Sequence, residues 1–468
     1  MNPTSAHSSP SSRRQFLKAG AATAFAGMTV PFVHAAEDNT LNVALIGCGG
    51  RGSGAAKNAL DTKLVPTKLV AMADVFEHRL NGSYAGLSSE FAAKPGKVDV
   101  PQERKFVGFD AYRRAIDCLK PGDIAIFATP LAFRWLHFKH AVEKGVHVFM
   151  EKPLTADVPT SKRMLQINEE AKKKGLKVGV GLMIRHCRVR QALFKRIKDG
   201  EIGDIISMRA YRMHPPVVTA FSHANKVMYP PNGKQELMYQ IERFHSFLWA
   251  SGGLFSDFNI HQIDECCWMK DAWPVKVHAI GGRHYRKDPQ GKAFVDQNFD
   301  VYACEYTFAD GAKLHWNSRI MNDCKQDFHS YAHGSKGSAI ISLSGHSPGH
   351  CATFRGQQIK KDDRIWEWPE EEEPNPYQTE WDDLVESIVK GTEHNEVERG
   401  VMASLVTSMG RHAAHTGQEI KLDDFMKLTH EFAPDVEKFT PDGPAPVTPD
   451  ADGNYPWPAP GIKKDREY

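Results

Sequence analysis

The chain holds 468 residues, 41% of them hydrophobic and 25% charged, an ordinary globular balance long enough for two or three domains. Its formal net charge of +2 comes without the clustered basic patch that a nucleic-acid-binding surface needs. The 22 histidines form no dense metal-ligand array.

In chain order, Ser12-Arg13-Arg14-Gln15-Phe16-Leu17-Lys18 precedes a mildly apolar run, Ala19 to Val33, that is too short and too weak to span a bilayer. It resembles a twin-arginine export signal over residues 1–35, with cleavage after Ala35 and a periplasmic or exported destination. Its loss removes Arg13, Arg14 and Lys18 and no acid, so the net charge moves from +2 to −1. The eight cysteines are scattered without a C-x-x-C pair, as expected of inert thiols in a chain that folds in a reducing compartment.

Leu41-Asn-Val-Ala-Leu-Ile46 is apolar at five of six positions and reads as a buried parallel strand. It runs into Gly47-Cys48-Gly49-Gly50-Arg51-Gly52, the spacing of a dinucleotide-binding turn. The first glycine makes the turn, the second admits a pyrophosphate and the third lets helix and strand pack closely. A helix over 53–60 then offers unpaired N–H groups to phosphate. A second strand, 68–74, ends in Asp74, which lies 22 residues after Gly52 and is placed to accept hydrogen bonds from the adenosine ribose. An acid there favours NAD over NADP, although Arg79 nearby is suited to a 2′-phosphate.

Strands at 123–129, stopped by Pro130, and 146–150 alternate with helices at 109–119 and 134–144, and Gly145 suits a helix C-cap. This alternation predicts a doubly wound parallel sheet, with Gly47, Asp74, Thr129, Pro130, Glu151 and Lys152 at the carboxyl ends of its strands. A helix over 160–174, a strand over 177–182 leading to Arg185 and His186, and a helix over 190–199 follow. From Ile205 the runs lengthen: strands are expected at 205–211, 275–281, 301–308, 313–318 and 338–343, with a hairpin at Asp310-Gly311. This half reads as a mixed or largely antiparallel sheet with helices on one face, helices at 381–391 and 396–416 among them. The domains expected are 40–155, 156–430 with an insertion at 213–250, and a Pro-rich arm at 431–468 lying extended on the surface or on a neighbouring subunit.

The chain resembles the Gfo/Idh/MocA oxidoreductases across residues 41–425. The likeness rests on the glycine turn, on Ala128-Thr-Pro130 with His137, and on Gly145-Val-His-Val-Phe-Met-Glu151-Lys152-Pro153. It continues through Gly200-Glu-Ile-Gly203 and Gly252-Gly-Leu-Phe-Ser-Asp257-Phe-Asn-Ile-His261-Gln-Ile-Asp264. The resemblance implies a Rossmann domain followed by an α/β domain on a large open, mostly antiparallel sheet, assembled as a dimer or tetramer. It also implies NAD(P)-dependent oxidation or reduction of a sugar, inositol or related polyol.

Oxidising a secondary alcohol requires a base for the hydroxyl proton while hydride leaves for nicotinamide. Asp257 and His261 are spaced i, i+4 and share a face if the segment is helical. The resemblance makes them the catalytic pair, His261 as base and Asp257 as substrate ligand or orienting acid that raises the histidine's basicity. Lys152 is expected to donate to the reacting hydroxyl and to touch the nicotinamide ribose, with Glu151 on the cofactor side. Arg185, His186, Tyr239 and Arg243 are weaker candidates for contact with substrate. The exported setting favours a tightly held nicotinamide. Two other readings share the fold: glycoside cleavage through transient oxidation, and a non-catalytic sugar-binding protein.

Overall fold

The computed structural model describes residues 39–216, 220–221, 235–287, 291, 294–343, 345–347, 349–369 and 373–468. The expected export signal at 1–35 and part of the 213–250 insertion lie outside them. Thr40–Tyr468 hold together as one compact unit.

The first sheet is parallel and six-stranded. Its strands are β1 (Leu41–Ile46), β2 (Thr67–Asp74), β3 (Lys105–Val107), β4 (Ile124–Phe127), β5 (His147–Met150) and β6 (Val178–Val180), in the order β3-β2-β1-β4-β5-β6. The order reverses between β1 and β4, the switch point where a doubly wound sheet binds ligands. β1 and β4 are buried almost throughout, as their continuous apolar runs require. Helices α1 (Gly50–Asp61), α2 (Glu77–Glu90), α3 (Ala111–Asp117), α4 (Arg134–Lys144) and α5 (Val158–Lys173) cross over between them. Gly145 caps α4 in the left-handed conformation, as expected. The sheet runs past the boundary expected at 155, because β6 supplies its sixth strand. α2 was not expected from the sequence: it buries only Leu80, Ser83 and Leu87, a stripe too narrow to stand out as a period.

After α6 (Arg188–Lys198) comes β7 (Ile205–His214), then α7 (Glu236–Glu242) and the long α8 (Gly253–Lys270). The second sheet adds β8 (Lys276–Gly282), β9 (Val301–Thr307), β10 (Lys313–Ile320), β11 (Ser330–Gly334), β12 (Ser338–Ser342), β13 (Ala352–Phe354), β14 (Arg364–Glu367) and β15 (Ile420–Lys421). Its order is β14-β13-β12-β11-β7-β10-β9-β8-β15, and only the β7–β10 pair is parallel. The β9–β10 hairpin turns at Asp310-Gly311, as expected. α8 and α10 (Val397–Thr416) pack on one face of this sheet, and α9 (Pro376–Lys390) packs beside α1. No described helix is long and apolar enough to cross a membrane.

The C-terminal arm departs from the expected surface strap. It sinks Val436, Val447 and Tyr455 into the chain's own core, and it ends with Glu467 buried against α10. Arg411 Nε and Nη2 donate to the two Glu467 oxygens at 2.9 and 2.8 Å, and His415 Nδ1 lies 2.6 Å from Oε2. The remaining Arg411 protons reach the Gly252 carbonyl at 2.9 Å, Ser256 Oγ at 2.7 Å and the Ala156 carbonyl at 2.8 Å. One buried guanidinium thus ties the arm to the start of α8 and to the turn after β5.

Removing one member of such a pair strands the other charge in the core. Glu467→Ala is expected to lower the unfolding free energy by about 3–5 kcal/mol. Lys464→Ala, on the exposed part of the arm, should change it by less than about 0.5 kcal/mol. Urea unfolding of the two variants checks this.

Candidate functional site

The glycine turn is built as its spacing implies. Gly47 has φ +95°, and a Cβ there would stand 2.6 Å from the Ala128 carbonyl carbon. A Cβ on Gly52 would stand 1.9 Å from the Gly47 carbonyl oxygen, so helix and strand meet only because position 52 is bare. Gly49 caps α1 without a side-chain hydrogen bond, which leaves the first-turn N–H groups directed at ligand space. A cavity of about 510 Å³ opens there. It runs from Gly47, Gly49, Gly50, Arg51, Gly52 and Asp74, past Thr129, Pro130, Glu151 and Lys152, to Asp257 and His261. A bare cradle at a helix N-terminus followed by an acid at the next strand end suits a dinucleotide.

Asp74 is fixed by backbone. Its Oδ2 accepts from the Cys48 amide at 2.7 Å and its Oδ1 from the Phe76 amide at 2.9 Å. Burial raises its carboxyl, and those two hydrogen bonds oppose the rise. Cys48 therefore acts on Asp74; contrary to expectation it does not line the cavity, and its buried thiol points to the Ala73 carbonyl at 3.4 Å. Arg79 lies over the Phe76 ring beside Asp74. Arg51 Nη2 donates to Glu151 Oε1 at 2.8 Å, closing the cradle against the end of β5.

That strand end is held from beneath. The buried Arg134 Nη1 donates to the carbonyls of Glu151 and Pro153, and Nη2 donates to the Thr129 carbonyl at 2.9 Å. Lys152, between two of those anchors, extends across to α8. Its Nζ donates to the Asp257 carbonyl oxygen at 2.5 Å and meets Asp257 Oδ1 at 3.3 Å. The second carboxylate oxygen, Oδ2, lies 3.3 Å from His245 Nε2. Burial would raise the Asp257 carboxyl, but Lys152 and His245 outweigh it and hold it well below the usual carboxylate range.

The segment carrying Asp257 and His261 is helical, and both residues reach the cavity as their spacing requires. The expected effect of the acid on the histidine is absent. Asp257 commits its oxygens to Lys152 and His245, and the His261 Nδ1 has no hydrogen-bond partner among the described residues. Burial, then the nearby His346, Lys152 and Arg212, push the imidazole well below its ordinary 6.5. It is a neutral base, kept so by its surroundings.

The four weaker candidates lie elsewhere. Arg185 makes a two-pronged pair with Asp264, at 2.8 and 2.6 Å. His186 bridges Asp383 and Glu396 at 2.7 and 3.0 Å, and although burial opposes charge, those acids lift it to about 9. Tyr239 and Arg243 are buried and do not line the cavity. The insertion supplies His245 instead. Three further residues line the far end of the cavity: Arg212, His346 and Tyr377. Arg212 was legible, because it continues the inward alternation of Met208 and Ala210 along β7. His245 sits in a single 3-10 turn, Phe244–Ser246, and His346 in an irregular loop, neither long enough to carry a period.

Residues 41–182 match the family described as an oxidoreductase family with an NAD-binding Rossmann fold, and residues 191–340 match the GFO/IDH/MocA C-terminal domain. The scyllo-inositol 2-dehydrogenase (NAD(+)) of Bacillus subtilis (strain 168) is 25% identical over 244 residues, which are 52% of this chain and 58% of that protein. The chain spans about half the length of the curated relatives it matches. Two of the solved structures that share the fold illustrate it. They are the aldose-aldose oxidoreductase from Caulobacter crescentus complexed with glycerol (TM-score 0.59, 18% identity) and the scyllo-inositol dehydrogenase from Lactobacillus casei with NAD(H) and scyllo-inositol (TM-score 0.57, 20% identity). Each alignment covers 82% of this chain and 99% of the other.

The buried imidazoles give the protein a pH signature. Burial and neighbouring cations lower His137 to about 3, and burial, Arg212 and Lys152 lower His346 to about 2. Unfolded, each titrates near 6.5, so below that pH the unfolded chain binds more protons and stability falls as pH falls. His186 acts in the opposite sense, but its contribution is complete below 6.5 and is lost only as pH rises through about 9. Urea midpoints should therefore drop steadily from pH 6.5 to 4.5, with a shallower slope in His346→Gln. A flat profile contradicts the burial of neutral histidines.

Proposed function

The chain belongs to the Gfo/Idh/MocA oxidoreductase family and carries its NAD-binding Rossmann fold, and from that premise we propose an NAD(P)-dependent oxidoreductase acting on a secondary hydroxyl of a sugar, inositol or related polyol. One observation carries the reading. A single cavity joins the dinucleotide cradle to Lys152, Asp257 and His261, a cation, an anion and a neutral base.

The residues that would hold the dinucleotide are Gly47, Gly49, Gly50, Arg51 and Gly52 for its pyrophosphate, with Asp74 for its ribose and Thr129, Pro130 and Glu151 along its path. When bound, nicotinamide supplies the acceptor or donor of hydride. His261 accepts the hydroxyl proton in the oxidative direction; its lowered pKa keeps its lone pair available across the neutral range. Lys152, oriented by Asp257, donates to the same oxygen and stabilises its developing negative charge. Asp257 holds Lys152 in place through its carbonyl and carboxylate oxygens. Arg134 fixes the turn that carries Lys152, so the ammonium reaches across the cavity from a rigid base.

The proposal extends to the setting. The Ser12–Lys18 segment supports export by the twin-arginine route, which carries folded proteins. In a compartment without a dependable nicotinamide pool, a tightly held cofactor lets the chain oxidise one polyol and reduce another in turn. The open face of the second sheet, where Ile206 and Ile280 are exposed, supports a dimer or tetramer built across it.

Protein purified without added nucleotide should release NAD(H) on denaturation, detected by absorbance and mass. A cofactor-free protein with only millimolar affinity for NAD ends the tight-binding part. Across a polyol panel, His261→Ala should cut kcat/KM by about 10²–10⁴-fold, and Lys152→Ala by about 10²–10³-fold. Unchanged turnover in His261→Ala removes its role as base. Release of phenol from aryl glycosides without NADH accumulation assigns transient oxidation with elimination instead.

A further inference from the structure

Arg212 is a buried cation that none of the roles above uses. It sits on the inward face of β7, only 8% exposed, and it lines the cavity. Its guanidinium lies between two rings, 3.9 Å from the centre of Phe328 and 5.4 Å from that of Phe258. Nη1 has two long contacts, the Phe258 carbonyl at 3.4 Å and His346 Nε2 at 3.5 Å. The buried Nε has no hydrogen-bond partner among the described residues. Among the described residues Arg212 makes no ion pair.

The other cations at this end are committed. Arg51 is paired with Glu151, Lys152 with Asp257, and Arg134 with three carbonyls. Asp257, already paired with Lys152 and His245, favours the charged form of Arg212 only from beyond ion-pair distance. The nearest imidazole is neutral: burial and Arg212 itself hold His346 near 2, and its Nδ1 lies 3.2 Å from the Tyr377 hydroxyl. Arg212 is therefore the cation beside the reacting groups whose N–H fork is left without strong acceptors. Burial lowers the Arg212 guanidinium to about 10, which still leaves it charged at neutral pH.

A buried charge without a partner is costly, and a ligand of opposite charge relieves that cost. The planar fork of a guanidinium matches a carboxylate, which accepts two parallel hydrogen bonds and carries the single charge needed. A phosphate monoester carries nearly two charges at neutral pH and would leave one unmatched here. We propose that Arg212 recognises a carboxylate on the substrate, so that the polyol oxidised or reduced at this site is a sugar acid. The inference rests on the oxidoreductase reading above for the identity of the reaction, but the binding it requires is measurable without turnover.

The test compares acid and parent sugar as matched pairs: D-glucuronate with D-glucose, and D-galacturonate with D-galactose. Dissociation constants are measured by calorimetry on the protein with NADH bound, and turnover of each sugar is followed in parallel. The native protein should bind the acids at least about tenfold more tightly than their parents, since one charge-assisted pair is worth roughly that factor. In Arg212→Gln the ratio should collapse to within about threefold, and in Arg212→Lys, which keeps the charge but loses the fork, it should fall between. Equal or absent binding of acid and parent by the native protein overturns the assignment. So does a ratio that survives in Arg212→Gln. Should the glutamine variant fail to fold, the native ratio and the lysine variant decide. Tight acid binding with no chemical conversion of either acid, whether NAD or NADH is bound, would leave this inference standing and overturn the oxidoreductase reading for these acids.

Discussion

The ion pair between Lys152 and Asp257 is the constraint around which the cavity is organised. Its members come from different sheets and are 105 residues apart in the chain. Lys152 stands at the carboxyl end of β5, where the parallel sheet presents its ligand side, and Asp257 stands on the helix that packs on the second sheet. Both side chains are only 14% exposed, so neither charge is well solvated and each depends on the other. The pair also decides the state of His261. Because Asp257 is saturated by Lys152 and His245, the imidazole four residues on has no carboxylate to charge it, and burial keeps it neutral.

Two buried arginines hold the ends of that pair. Arg134 gathers the carbonyls of Thr129, Glu151 and Pro153, which fixes the two strand ends on either side of the cavity floor. Arg411 gathers Gly252 and Ser256 at the start of α8 and Ala156 just beyond Pro153, and is neutralised by Glu467 from the end of the chain. The helix that carries Asp257 and His261 and the turn that follows Lys152 are thus tied to the same guanidinium. The last residues of the chain contribute to the site without touching it, through the charge that makes Arg411 tolerable in the core.

Much of this was legible in the sequence wherever function needs a local pattern. The glycine turn, the acid at the end of β2 and the residues after β4 and β5 follow from a strand that must turn sharply at a ligand. Helical spacing puts Asp257 and His261 on one face, but the family resemblance was needed to single them out. What the sequence concealed depends on partners far away in the chain. Arg185 and His186 follow a strand end, as site residues do, but Asp264, Asp383 and Glu396 convert them into ion pairs. β3, β13 and β14 span three or four residues, at most two periods of strand alternation. The arm at 431–468 reads as polar and Pro-rich, and its anchor is a single glutamate near its end.

The central claim is that the glycine cradle and the Lys152, Asp257 and His261 cluster form one working site. A crystal structure of the protein with bound NADH tests it most directly. The account predicts pyrophosphate on the amides of the 47–52 turn, the adenosine ribose at Asp74, and the nicotinamide ring beside Lys152 and His261. A nicotinamide turned out of the cavity, with the Lys152–Asp257 pair closed off from it, would contradict the account.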